Sequence, residues 1–273
     1  MRRLLNIRPK RGGRFFLGFF PLAAAAVFYF VASGIRTANN PADKLLPTPM
    51  EMWTAVERMA FTVDPVRGMI PMVADTGASL ERLLLGLGIA TAITLITGLL
   101  LGLLPIIRAG FGPLVAAISV VPPIALLPIL FIVMGLGEAS KIALIVVGIA
   151  PFMIRDLASH VAAIPEEQMV KAQSLGGSTW QIGLRVALPQ AMPRLIKCLR
   201  LSLGPAWVFL ISAEAIAADV GLGYRIFLVR RYLAMDVIIP YVIWISLLAV
   251  VMDLTLMWLS KRFYPWAHSA RDA

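Results

Sequence analysis

Six long apolar stretches follow one another along the chain and dominate its pattern of hydrophobic and polar positions. An α-helix rises about 1.5 Å per residue, so roughly 20 apolar residues cross the hydrocarbon core of a bilayer. By this criterion the predicted spans are residues 15–33, 80–104, 114–134, 142–157, 199–218 and 237–259. The pattern therefore predicts an all-α membrane protein with about six transmembrane helices.

The first stretch allows two interpretations, because six basic residues precede Phe15 as they would in a secretory signal peptide. Its apolar run exceeds the roughly 7–15 residues of a signal peptide, and Arg36 follows without a small-x-small cleavage site. We therefore expect an uncleaved first span.

Two local features stand out before the third stretch. Pro49 suits the first position of a short surface helix over Met50–Phe61.

Gly98 and Gly102 form a small-xxx-small pair in the second stretch. Such a pair lets another helix approach closely, although a membrane helix also tolerates isolated glycines.

The third stretch contains three prolines, Pro122, Pro123 and Pro128. Each proline removes a backbone donor, so this helix is predicted to be kinked or broken. Broken helices persist at membrane depth where they are buried in protein or line a cavity. The prolines therefore indicate either a segment that lines a pathway through the membrane or a structural kink.

The distribution of charge predicts how the spans are oriented. Six spans place both termini on one side, which then carries 16 Lys and Arg residues against nine on the other. Because basic residues accumulate in cytoplasmic loops, both the N and C termini are predicted to be cytoplasmic. The net charge of +10 thus reflects topology and does not indicate nucleic-acid binding, since the basic residues lie between apolar runs.

Composition narrows the class further. The chain is 59% apolar and 15% charged, with a mean hydropathy of +0.84, whereas soluble domains carry about 25% charged residues. A lone Cys198 excludes an intrachain disulfide, and two histidines disfavour a histidine metal site. No metal or other cofactor is expected in this chain.

The long polar segment between the fourth and fifth stretches predicts two short helices joined by a tight turn. Glu166 and Glu167 suit the first turn of one helix, and Gly176 and Gly177 permit positive φ at the turn. In the second helix Ser178 and Gln181 form a possible capping box. Its apolar face holds Trp180, Leu184, Ala187 and Leu188, and Pro189 is predicted to end it. The pair is either a docking element for a partner or a helix pair on the bilayer surface.

The same segment resembles the conserved cytoplasmic loop of permease subunits in type I ABC importers. That loop reads EAA, three residues, G, nine residues and I-x-L-P, and here the frame is residues 170–172, Gly176 and residues 186–189. Val170 and Lys171 replace the family's Glu and first Ala. The resemblance implies that the loop, about residues 160–195, couples the permease to an ATPase. The implied contact residues are Glu166, Glu167, Lys171, Ala172, Leu175, Gly176, Trp180, Leu188 and Pro189.

Three further stretches extend this resemblance over residues 75–262. SLERLLLGLGIA at 79–90, PPIALLPILFIVMGLGEASKI at 122–142 and AEAIAADVGLGYRI at 213–226 resemble the nitrate, sulfonate, taurine and bicarbonate branch. Parts are also similar to permeases associated with urea carboxylase pathways. The implied layout is an N-terminal arm, first span and periplasmic connection at 1–74, a permease core at 75–262 and a cytoplasmic tail at 263–273.

Family membership implies partners and a location for the chain. The permease would lie in the bacterial inner membrane as a pair, expected to be a homodimer. It would work with two ATPase subunits that bind ATP and Mg²⁺ and with a periplasmic or lipoprotein solute-binding protein. The sequence contains no GxxxxGK[ST] phosphate loop, so ATP hydrolysis is expected in another chain.

Ionisable residues near or within the spans are further candidates, because a charge in lipid usually faces a cavity or a partner. Glu214 is either a gate or pathway residue or a structural carboxylate, and Asp253 is expected to pair within the bundle. On the predicted outer side, Arg225, Arg230 and Arg231 would dock the binding protein, guide an anion or anchor lipid headgroups.

Two other functional classes compete with the importer. An ATP-independent channel or secondary carrier suits the broken third stretch but gives the long loop no obvious use. A membrane-embedded enzyme would need convergent catalytic side chains. His160 and His268 lie far in sequence from Glu214, which disfavours it.

Overall fold

The computed structural model describes residues 11–40, 44–65 and 68–269, and every regular element within these ranges is helical. The basic arm at 1–10 and the end of the tail at 270–273 lie outside the described residues. The helices are α1 (Arg11–Asn39), α2 (Pro49–Ala60), α3 (Pro71–Leu103), α4 (Pro105–Ile118), α5 (Leu127–Met134), α6 (Glu138–Ala162), α7 (Glu166–Ser174), α8 (Thr179–Ile182), α9 (Leu188–Ala217), α10 (Leu222–Arg230), α11 (Met235–Phe263) and α12 (Trp266–Ser269). The all-α prediction is confirmed.

Five described helical segments are long and apolar enough to cross a membrane, and a bent helix pair makes a sixth candidate. The five are Phe16–Ala38, α3, α6, Thr179–Ala217 and α11. The pair consists of α4 and the segment Pro123–Met134, which meet at 85°. The predicted break in the third stretch is therefore confirmed, although its first helix begins at Pro105, nine residues before the predicted start.

The fifth span differs most from its prediction. Pro189 does not end a helix but lies in the first turn of α9, which follows a π-helical turn over Gly183–Ala187. The π-helical turn directly precedes Leu188 and Pro189, and the helical path continues through the proline. The predicted loop helix and the predicted span therefore form one helical segment of 39 residues, Thr179–Ala217.

A stripe of small residues on α3 packs against α6. A Cβ atom at Gly86 would lie 2.8 Å from Ile145 Cγ2, and one at Gly98 would lie 2.9 Å from Leu157 Cδ2. A Cβ at Gly102 would lie closer still, 2.5 Å from Val161 Cβ. These glycines allow the backbone of α3 to approach α6 directly, as the Gly98 and Gly102 pair predicts. The three contacts keep one constant sequence offset, so α3 and α6 run in the same direction.

The direction of the other spans follows from contacts between their ends. Because α3 and α6 are parallel, the broken pair α4–α5 must carry the chain back between them. Glu214, near the end of α9, contacts Arg82, near the start of α3, so α9 runs the opposite way. Tyr241, near the start of α11, contacts Asp75, so α11 is parallel to α3. We call the end holding the starts of α3, α6 and α11 the cluster end, and the end holding α7 and α8 the loop end.

The N-terminal helices attach to this bundle through few contacts. The span within α1 is only 6% buried, and in its second half Tyr29 donates a hydrogen bond of 2.8 Å to the carbonyl of Pro47. The surface helix predicted over Met50–Phe61 is confirmed as α2. Thr48 caps it and Glu51 completes a capping box. The contacts of α2 with α3 and α11 place it at the cluster end.

Candidate coupling loop and buried polar cluster

The turn between α7 and α8 depends on both of its glycines, for different reasons. Gly176 adopts φ +81°, a left-handed conformation that favours glycine. Gly177 does not take positive φ, contrary to the prediction. Its amide donates to the carbonyl of Ala172 at 3.0 Å, and a Cβ at Gly177 would lie only 2.8 Å from that oxygen. The turn is therefore fixed by the left-handed backbone of Gly176 and by the close approach of Gly177 to the carbonyl of Ala172.

The start of α8 has the predicted capping box. The amide of Ser178 donates to Gln181 Oε1 at 2.9 Å, and the amide of Gln181 donates back to Ser178 Oγ at 3.3 Å. Two of the backbone donors that the start of a helix leaves without intrahelical partners are thus satisfied locally. The capping box gives the loop a defined shape without burying it.

The outer surface of α7 and the turn is exposed. Leu175 is 89% exposed and Trp180 is 72% exposed. Glu166, Glu167 and Lys171 are also exposed, whereas Ala172 is only partly so. Leu175 and Trp180 add exposed apolar surface to these charged side chains, a combination typical of a surface that a partner covers.

The inner surface of α8 rests on the end of α3. Trp180, Leu184 and Leu188 line one apolar cavity of about 360 Å³ with α3 residues that include Leu99 and Leu103. Three of the four residues predicted to share a face therefore line one wall, and the fourth, Ala187, is buried. Pro189 follows in the first turn of α9. The loop contacts α3 through apolar surface and continues directly into α9.

A buried cluster of polar residues occupies the opposite end of the bundle. It begins on α3, where Asp75, Ser79 and Arg82 recur about one turn apart on the buried face. Asp75 accepts hydrogen bonds from the amide of Gly221 at 3.0 Å and from Arg225 Nε at 2.8 Å. Ser79 accepts one from the amide of Leu222 at 2.8 Å. The start of α10 is thereby fixed to the start of α3.

Glu214 is fully buried within this cluster. Its carboxylate accepts hydrogen bonds from Ser79 Oγ at 2.8 Å, Arg82 Nη1 at 2.7 Å and the amide of Gly223 at 2.8 Å. A Cβ at Gly221 would lie 2.6 Å from that carboxylate, which explains the glycine there. Within this chain Glu214 faces the interior of one bundle, so the structure favours the structural alternative over a gate.

Arg82 links the cluster to a third helix. Its guanidinium pairs with Glu138 at the start of α6 and donates to the carbonyl of Val220 at 2.8 Å. Lys141 pairs with the same Glu138 at 2.8 Å. Three carboxylates are thus matched by three cations: Asp75, Glu138, Glu214, Arg82, Lys141 and Arg225. Because no charge is in excess, the cluster satisfies the condition under which buried ions are tolerated.

The three arginines predicted to dock a binding protein have different surroundings. Arg225 is 9% exposed and pairs with Asp75, so the docking prediction does not fit it. Burial lowers the pKa of Arg225, but the hydrogen bond and charge of Asp75 outweigh burial and raise it overall. Arg230 lies over the ring of Phe227 at 4.8 Å, and both it and Arg231 are exposed. Only these two remain available for docking.

The remaining candidates lie along the spans. Pro122, Pro123 and Pro128 lie at and after the bend of the broken pair, where Pro122 and Pro128 are exposed and Pro123 is half-buried. The pairing predicted for Asp253 is present, because its carboxylate accepts two hydrogen bonds from Arg200 at 2.7 and 2.8 Å. Among the described residues no group of His, Cys, Asp and Glu could hold a metal ion.

Sequence reasoning missed most of the polar cluster. Glu214 was a candidate, but Asp75, Ser79, Arg82 and Glu138 were not. For the three residues on α3, the sequence did contain a signal, because these polar residues recur along one face of an otherwise apolar helix. Their partners, however, lie up to 150 residues away in the sequence.

A polytopic bundle with a broken span, and a helical loop continuous with another span, is the architecture that a membrane transport subunit is expected to have. Residues 84–268 match the family described as binding-protein-dependent transport system inner membrane component. The chain belongs to this family. It is the permease subunit of an ABC importer and a multi-pass inner-membrane protein, as the resemblance in its loop and motifs predicts.

Relatives and solved structures agree with this assignment. The chain is 38% identical over 247 residues to the taurine transport system permease protein of Escherichia coli, covering 90% of this chain and 88% of the relative. It is 28% identical to the bicarbonate transport system permease protein of Synechococcus elongatus, covering 79% and 80%. An inward-facing methionine ABC transporter has the same fold, with a TM-score of 0.62, 19% identity and coverage of 80% and 99%.

Proposed function

We propose that this permease forms the translocation pathway for a small polar solute that carries an anionic group and that its loop transmits the movement of an ATPase. The observation that carries the proposal is the continuous helical segment Thr179–Ala217, which begins in the exposed loop and ends beside the buried cluster. At about 1.5 Å per residue this segment is roughly 57 Å long. A displacement of α8 at the loop end therefore moves a helix that crosses the whole bundle.

The proposed assembly holds two copies of this chain, two ATPase subunits and a solute-binding protein. ATP and Mg²⁺ would bind to the ATPase subunits, which would contact the exposed α7 and α8. A solved alginate ABC transporter with the same fold is bound to a periplasmic protein, at a TM-score of 0.59, 15% identity and coverage of 93% and 98%. In our proposal the loop end is cytoplasmic, because the basic residues are concentrated there.

We propose a small sulfonate such as taurine as the first solute to test. The 38% identity to a taurine permease extends over nine-tenths of the chain and supports this choice. Bicarbonate is the second, because a more distant relative is named for it. The urea or guanidine alternative has no support from these relatives, so we do not carry it forward.

The deciding experiment reconstitutes this chain with the ATPase and binding protein encoded beside it in proteoliposomes. We expect the ATPase rate to rise when taurine-loaded binding protein is added, and labelled taurine to accumulate only with ATP. Bicarbonate and urea serve as comparison solutes. Taurine uptake by the permease alone would instead support the ATP-independent channel or carrier and contradict our proposal.

A further inference from the structure

A second cavity, of about 510 Å³, opens at the loop end between α6, α9 and α11. It is separate from both the apolar cavity beneath α8 and the buried cluster. Its basic wall consists of Arg194, Lys197, Arg200 and Lys261, and none of the described residues that line it is acidic. A cavity with this lining attracts an anion.

Two of the four cations are partly neutralised from outside the cavity. Arg194 pairs with Asp156 on α6, and Arg200 pairs with Asp253 on α11. Each pair uses only Nε and Nη2 of the guanidinium, and no other hydrogen bond of either arginine is present among the described residues. Each guanidinium has five N–H donors, so Nη1 remains available to another acceptor.

The other two cations carry the excess charge. Lys197 and Lys261 are exposed, and within the described part of the chain neither makes a hydrogen bond or ion pair. Lys197 lies one turn from both Arg194 and Arg200 on α9, while Lys261 reaches the cavity from the last turn of α11. Among the described residues, the cavity therefore has about two positive charges that no carboxylate balances.

The remaining wall is mixed and lies where a bilayer surface is expected. His160, Gln190 and Ser260 form its polar part, and the rest is apolar. Pro193, Met257 and Trp266 line it, and Trp266 is 54% exposed. The site coincides with the ends of two spans, α6 and α11, which is the depth that tryptophan favours in membranes. Basic pockets between transmembrane helices at the cytoplasmic surface bind the headgroups of anionic lipids.

We propose that this cavity is a binding site for the phosphate group of an anionic phospholipid. Lys197 and Lys261 would supply the net charge, and the outward Nη1 groups of Arg194 and Arg200 would donate to phosphate oxygens. The acyl chains would leave along Met257 and Trp266. The chemistry recognised is phosphate, which a lipid headgroup or an inorganic phosphate ion could supply.

The test measures lipid retention by the purified full-length chain with native mass spectrometry. The chain is offered phosphatidylglycerol or phosphatidylcholine in mixed micelles, and in a separate arm inorganic phosphate. We expect phosphatidylglycerol to be retained over phosphatidylcholine, and the double variant Lys197→Gln/Lys261→Gln to weaken retention about tenfold or more. Both lysines are exposed, so the fold should be retained, which a melting curve checks.

The control is Lys44→Gln, an exposed lysine outside the cavity, which should retain phosphatidylglycerol as the wild type does. If inorganic phosphate at millimolar concentration competes fully with the lipid, the site binds phosphate without needing the acyl chains. If the double variant retains phosphatidylglycerol like the wild type, or if the two lipids bind equally, the proposal is wrong. Neither result depends on ATPase coupling.

Discussion

The two ends of this bundle are stabilised in opposite ways. At the cluster end most of the charged groups are buried, and they are charge-balanced and hydrogen-bonded across α3, α6, α9, α10 and α11. At the loop end α7 and α8 expose their surface and are held by a capping box, a glycine turn and an apolar contact. Segments with few buried contacts open and move most easily. The comparison therefore indicates a rigid cluster end and a loop end that can respond to a partner.

The largest expected effect is on the buried ion pair of the cluster end. Arg82→Met leaves the carboxylate of Glu214 buried without its cation, which should lower the free energy of unfolding by about 3–5 kcal/mol. The double variant Arg82→Met/Glu214→Met should cost less than the sum of the single variants by more than about 1 kcal/mol. Thermal or denaturant unfolding in detergent measures both.

Arg230→Met is the matched control for this ion pair. Arg230 is an exposed arginine outside the network, so its replacement should change stability by less than about 0.5 kcal/mol. Equal melting of the Arg82→Met and Arg230→Met variants would mean that the cluster does not stabilise this end.

The next largest effect is expected at the helix packing between the two ends, where α3 contacts α6. Gly86→Ala would push a methyl group to within 2.8 Å of Ile145. Overpacking of this kind should cost about 1–3 kcal/mol. Gly88→Ala, in the same helix with nothing within 4 Å of its Cβ, should be neutral or stabilise by up to about 1 kcal/mol. Identical melting temperatures of the two variants would contradict the close approach of α3 and α6.

A smaller change in stability is expected at the loop turn, together with a large change in function. Gly176→Val forces a β-branched residue into φ +81° at a cost of about 1–2 kcal/mol. No neighbouring atom lies within 4 Å of its Cβ, so the change is confined to the turn. We expect ATP-driven uptake to be lost while membrane insertion is retained.

Gly34→Val, in α1 with equally open surroundings, is the control for Gly176→Val. It should leave uptake intact. Normal uptake by the Gly176→Val variant would argue strongly against a coupling role for the loop.

The smallest effect is expected from removing the N-cap residues of α2 and α8, each of which is part of a capping box. Ser178→Ala and Thr48→Ala each remove one cap and should each cost about 1 kcal/mol of local helix stability. Only Ser178→Ala should also lower uptake, because only α8 continues into α9. Solute uptake by reconstituted vesicles is measured for both variants. An equal loss of uptake in the two would show that capping of α8 has no particular role in coupling.

Local signals in the sequence were sufficient for much of the fold. Hydropathy predicted every long span, and prolines predicted the break between α4 and α5. The capping box of Ser178 and Gln181 was predicted because its two partners are three residues apart. Pro189 was misinterpreted as the end of a helix, because the π turn that leads into it has no clear signature in the sequence.

The sequence by itself determined the helices, their caps, the close approach at Gly98 and Gly102 and the resemblance to importer permeases. These features depend on residues within one or two helical turns of each other, so periodicity and spacing reveal them. Only the tertiary structure decided that Arg225 turns inward and that Glu214 joins Arg82. It also joined the loop to α9 and formed a basic cavity from three helices. Those outcomes depend on which distant segments pack together. A buried charge is stable only when it is paired, and the local sequence does not specify its partner.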